Sequence, residues 1–143
     1  MPEFTKKLTT STTFYNAESG GQPPTCGCGS WKKHWLRYAG GHSNFQCLNA
    51  KCKSRCHKDP KKRKIIITDF DGSHIVFQSN SPDQYVVPLC QTCNRSRDKS
   101  FMKPNRKCIA VLENKGDKCG PDRAAKLNRF AARMLKRIAP PKA

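Results

Sequence analysis

Residues 86–97 read VVPLCQTCNRSR, and how this stretch is read decides the fold. β-Branched residues run into a cysteine turn, Cys90 to Cys93, that opens a short polar helix. A second cysteine couple stands upstream in CLNAKC (Cys47 and Cys52), and GSHI, which carries His74, lies in the gap between the two. Two short cysteine pairs separated by a few dozen residues present four thiolates to one tetrahedral ion. Cys47, Cys52, Cys90 and Cys93 are therefore assigned to one structural Zn²⁺.

Composition points the same way. The chain has 143 residues, of which 36% are apolar. That is a thin core for one small domain, and chains of this kind need metal or disulfide staples. Nine cysteines are present. The start, MPEFTKKLTTSTTFYNAESGG, has no apolar stretch of the secretory kind, so the protein is expected in a reducing compartment, cytoplasm or nucleus, or inside a virion. Reduced cysteines favour metal over disulfides. No run approaches the ~20 apolar residues of a membrane span.

Working outward, residues 1–25 are Thr/Ser-rich, end in GGQPP and show no apolar period; they are expected as an extended or disordered arm. A zinc-bound domain follows over 26–119. In CGCGSWKKHWLRY, Trp31, Trp35 and Tyr38 fall at i, i+4 and i+7, which predicts a helix with both indoles in the core. KSRCHKDPKKRK (53–64) is a basic loop. KIIITDF and SHIVFQ read as two strands joined by a tight turn at Asp71-Gly72, YVVPL and IAVLEN as further short strands. Knuckle, hairpin and a cysteine pair at a helix start make up the treble-clef arrangement, where the helix N-terminus favours the charge of the thiolates. Residues 120–143 form a basic amphipathic helix with Leu127, Phe130, Ala131, Met134 and Ile138 on one stripe. The expected fold is a small α+β, zinc-stabilised treble-clef core with an irregular N-terminal arm and a basic C-terminal helix.

A second metal site can be drawn from Cys26, Cys28 and His34, with Cys119 in GDKCG as the best fourth ligand. Cys108 and the Cys56-His57 pair are other sources of donors.

The net charge is +18, and it is uneven. Residues 26–64 hold eleven Lys/Arg against Asp59, and residues 106–143 hold eleven against three acids; the other segments are neutral. Two basic blocks around a neutral middle are the footprint of a polyanion binder, and the excess is more than solubility needs. Lys61, Lys62, Arg63 and Lys64, with Arg129, Arg133, Lys136 and Arg137 of the tail helix, are the candidate phosphate contacts. The partner is nucleic acid, DNA or RNA, with protein neighbours if the chain sits in a larger assembly.

CGCGSWKKHW, GSHI and YVVPLCQTCN resemble a group of small zinc-finger-like proteins with the pattern CxCGSWxxHW, a cysteine knuckle, GAHV, YIVPLCxxHN and a late Thr-Cys. The likeness spans about Cys26 to Cys119, with Cys93 in place of a His and Ser73 in place of an Ala. That group is similar in turn to the HNH-type treble clef. The resemblance implies His74 as general base and Asn94 as a catalytic metal ligand. Two departures argue against catalysis. Ser73 stands where an acidic ligand is expected, and a neutral hydroxyl anchors a hard cation poorly. Tyr85 stands where a base-orienting Asn is expected. The expectation is a non-enzymatic, zinc-stabilised protein that binds nucleic acid mainly through phosphate contacts. The alternatives are a structural component of a large nucleoprotein particle, virion or ribosome-like, and an HNH-like endonuclease with His74 as base.

Overall fold

Ser30 starts the first helix. Its hydroxyl accepts the Lys33 N–H at 3.1 Å and its carbonyl the His34 N–H at 2.9 Å, which satisfies two of the donors that a helix start leaves open. The helix, α1, covers Trp31–Ala39, as the indole spacing predicts. Trp35 is fully buried and donates its indole N–H to the Ile109 carbonyl at 2.7 Å; Trp31 is partly buried against the same core. These assignments come from a computed structural model that describes residues 3–17, 24, 26–39, 47–52, 70–78, 81–96 and 100–113. The basic loop Lys61–Lys64, Cys56-His57, Cys119 and the tail helix with Arg129, Arg133, Lys136 and Arg137 lie outside the described residues.

The strands are β1 (Thr5–Leu8), β2 (Tyr15–Asn16), β3 (Asp71–Val76), β4 (Tyr85–Leu89) and β5 (Cys108–Leu112), with a one-turn helix α2 (Gln91–Asn94) after β4. They form one antiparallel sheet in the order β1-β5-β4-β3-β2. The protein is thus a small α+β fold. Helix α1 lies across β3, β4 and β5, and every residue of β4 is buried. Among the described residues no helix is long and apolar enough to cross a membrane.

Pro88 in a central strand looks out of place, since proline cannot donate to a ladder. Its position resolves the difficulty. β5 pairs only with Tyr85 and Val86, so the far half of β4 has lost that neighbour. The knuckle replaces it: Leu48 donates its N–H to the Pro88 carbonyl at 2.8 Å. N–H and C=O of one strand residue point to the same side, so the missing donor faces a site where Pro88 only needs to accept.

Two expectations are corrected. The arm expected over 1–25 supplies both edge strands, and Leu8 and Phe14 are buried in the core. Phe14 exchanges backbone bonds with Met102 at 2.9 and 2.7 Å, and the Tyr85 hydroxyl donates to the Glu3 carbonyl at 2.9 Å. Its order comes from partners far along the chain, which local pattern does not show. The Asp71-Gly72 turn is also absent. Both residues lie inside β3, opposite Leu89 and Pro88, and β3 pairs antiparallel with β4. Gly72 is there because α1 leaves no room: a Cβ would fall on the Trp31 carbonyl carbon and the Lys32 amide nitrogen.

Two candidate metal centres

Cys47 and Cys52 are brought to β4 by the knuckle, and Cys90 and Cys93 flank the first turn of α2. Cys90 is the N-cap of that helix, and its Sγ accepts the Cys93 N–H at 3.5 Å. The four sulfurs all lie within 4.8 Å of one another, with Cys52 and Cys90 at 3.6 Å. A zinc tetrahedron with Zn–S bonds of about 2.3 Å has edges of about 3.8 Å, so the set fits such an ion. None of the described cysteines is in a disulfide.

Without an ion this cluster favours protonated sulfur. Hydrogen bonding with Cys90 and Cys93, then burial, pushes the Cys47 thiol far above the ordinary thiol range. For Cys93 the contact with Cys47 pulls downward, but the contact with Cys90 and burial outweigh it, and the thiol is pushed up to about 12. A divalent cation that takes all four as thiolates must displace these protons, so its binding is expected to weaken as pH falls.

Two neighbouring side chains, Asn49 and Arg106, offset part of this by favouring negative sulfur. Asn49, inside the knuckle, donates its Nδ2 to the Cys93 sulfur at 3.4 Å. The Arg106 guanidinium donates to the Cys47 carbonyl at 3.3 Å and to Asn105 Oδ1 at 2.6 Å. Burial lowers the pKa of Arg106, and the neighbouring Cys108 and Cys47 sulfurs oppose this. Asn16 of β2 donates to the Cys93 carbonyl at 2.9 Å and ties the centre to the edge of the sheet. Of these partners only Asn49 carried a sequence signal, since it sits between two ligands. Arg106 and Asn16 lie far from both pairs.

The second cluster is Cys26, Cys28 and His34, all buried. Gly27, between the two cysteines, and Gly29, just after them, both have φ of 89°, a left-handed conformation that favours glycine. His34 Nε2 lies 2.9 Å from the Leu112 carbonyl, which has no proton to give, so Nε2 carries the hydrogen. Nδ1 is then the bare nitrogen, and it lies 3.4 Å from both Cys26 and Cys28 sulfurs. That is close to the S···N edge of about 3.6 Å in a zinc site, and fixing the imidazole through its far nitrogen is the usual outer-shell arrangement. Three donors of the expected set of four thus converge; Cys119 lies outside the described residues. Cys108 is buried in β5 and joins neither cluster.

Burial lowers the pKa of His34; the Leu112 carbonyl opposes this and Arg37 adds to it. A folded-state value below the unfolded one means that the unfolded chain binds the proton more readily. Stability is then full above the ordinary imidazole value of 6.5 and is lost as pH falls below it. Urea midpoints measured between pH 5 and 8 should drop on the acid side of about 6.5. A flat profile would mean that His34 reaches water.

The residues singled out by the HNH resemblance are placed apart. His74 pairs with Val86, lies under the Trp31 ring at 4.6 Å, and has Nε2 3.5 Å from Glu113 Oε1. Asn94 donates its Nδ2 to Asp71 Oδ2 at 3.2 Å. Side chains alternate along a strand, so Gly72 and His74 face α1 while Asp71 and Ser73 face the other way. Comparisons with family models, with curated proteins and with solved structures return no match.

Proposed function

We propose that the protein is a zinc-stabilised, non-enzymatic module that binds nucleic acid mainly through phosphate contacts. The observation that carries this reading is the convergence of Cys47, Cys52, Cys90 and Cys93 in a chain of net charge +18. A metal centre here closes the far half of β4, the knuckle and α2 together. The order of knuckle, β3–β4 hairpin and cysteine pair at α2 supports a treble-clef reading of that core, and with it the likeness to CxCGSWxxHW-type proteins. Lys7, Lys51, Arg95, Lys103 and Lys107 are exposed, which adds to the basic blocks at Lys61–Lys64 and in the tail. The non-enzymatic part rests on His74 and Asn94, which are engaged with Glu113 and Asp71 on opposite faces of β3.

Fluorescence anisotropy with labelled oligonucleotides over a salt series tests the binding. Affinity should fall steeply, with a log–log slope of about −0.9 per phosphate neutralised on duplex DNA and about −0.7 on single strands. Replacing Lys61, Lys62, Arg63 and Lys64 by Ser should flatten the slope and weaken all sequences alike. Deleting residues 121–143 should do the same. If the deletion leaves nucleic-acid affinity intact and instead abolishes co-purification with a protein assembly, the structural-component reading replaces this one. Supercoiled DNA incubated with Mg²⁺ should stay intact; cutting that His74→Ala abolishes at unchanged zinc content would establish the nuclease.

A further inference from the structure

Among the described residues one large apolar side chain is exposed, Phe101, at 40%. It does not stand alone. The Lys51 Nζ lies 5.0 Å and the Lys103 Nζ 5.8 Å from the centre of its ring. These distances are near the outer limit of a cation–π contact, so both ammonium groups attend the ring without being locked to it.

The backbone beneath the ring is pinned from two sides. Met102 exchanges backbone bonds with Phe14, the Ala50 N–H donates to the Lys103 carbonyl at 2.9 Å, and the Asn105 N–H donates to the Leu48 carbonyl at 2.8 Å. Met102 and Pro104 are buried while Phe101, Lys103 and Asn105 are exposed, an alternation that puts the last three on one outer face. Lys51 comes from the knuckle, between the ligands Cys47 and Cys52. The first metal centre therefore holds the ring and its two cations in register.

An exposed ring flanked by cations is complementary to a ligand with a flat apolar face and a negative charge close by. The geometry points to a base-stacking site for single-stranded nucleic acid, in which a nucleobase lies on Phe101 while Lys51 and Lys103 turn to its flanking phosphates. This rests on the nucleic-acid reading above and adds a preference to it. Duplex bases have both faces covered by their neighbours, so only an unstacked base can use the ring. A protein partner would call for a wider apolar patch than one ring enclosed by ammonium groups.

The test is anisotropy with a labelled oligothymidine strand and a duplex of equal length, on the full chain, with zinc content measured for each variant. Phe101→Ala should weaken single-strand binding about tenfold, within the range seen when a stacking aromatic is removed. The factor should be the same at low and high salt, since stacking releases no counterions. Phe101→Tyr should restore the affinity, and duplex binding should not change. Lys103→Gln should instead weaken both ligands and flatten the salt slope. If Phe101→Ala leaves single-strand binding intact, this site is wrong and the phosphate-binding reading survives. If it weakens strand and duplex equally, the ring shapes a loop and reads no base, which also overturns the site. If wild type binds neither ligand, both readings fall.

Discussion

Exchanging Cys90 for serine is expected to unfold the protein outright. Cys90 is 5% exposed, ends β4, caps α2 and has its sulfur 3.6 Å from that of Cys52. The apparent binding energy of a structural zinc is about 10–16 kcal/mol, against a total stability of about 5–15 kcal/mol for an ordinary domain. With 36% apolar residues the core has little to set against the loss of a ligand. Circular dichroism should show loss of the folded signal in Cys90→Ser, and a strong chelator should produce the same spectrum from wild type. Elemental analysis should find one zinc per chain, or two if the Cys26, Cys28 and His34 cluster is also filled. A chelated protein that keeps its spectrum and its melting transition would show that packing alone holds the sheet, and the metal reading would be wrong.

Gly72→Ala carries the next largest effect. The added carbon would meet backbone: the Trp31 carbonyl carbon, the Lys32 amide nitrogen, and the Trp31 oxygen at 2.6 Å. A flexible side chain could swing away, but the first turn of α1 cannot, because its capped start is tied to Ser30 and its far side carries Trp35. Overpacking a close contact costs about 1–3 kcal/mol, and a backbone clash of this kind belongs at or above the top of that range. The midpoint of urea unfolding should fall accordingly. Gly27→Ala is the control. Gly27 has φ of 89° but nothing within 4 Å of the added carbon, so its loss should be about 1–2 kcal/mol, from backbone conformation alone. Equal losses at the two sites would mean that α1 moves freely over β3.

What could be read in the chain beforehand was whatever repeats over a few residues. Trp31, Trp35 and Tyr38 mark α1 because helical spacing is local, and VVPL running into Cys90 marks β4 and its turn for the same reason. The four-thiol centre was legible because each pair is local and the ion supplies the long-range link. β1 and β2 were not legible. TKKL and YN have no convincing alternation, and they are strands only because β5 and β3 offer them an edge. Asp71-Gly72 misled for a related reason: the dipeptide suits a turn, yet the glycine answers to a helix forty residues earlier. Arg106 and Phe101 belong to no pattern. Their settings are made by the knuckle, which meets them only once the chain has folded.

The order of the strands has a kinetic consequence. Among the described residues both edges of the sheet come from residues 5–16, while the three inner strands lie from residue 71 onward. Leu8 finds its partner in Cys108 and Thr5 in Val111, a separation of about a hundred residues, so β1 must wait for β5. At ribosomal speeds of about 5–20 residues per second, that wait lasts about 5–20 s. Such distant pairings close late because chain entropy must be overcome before they are rewarded. The β3–β4 hairpin joins strands close in sequence and is expected to form before those distant pairings. The leading segment then shuts over it as a clasp, and a nascent chain halted short of residue 108 has a half-built sheet with sticky rims.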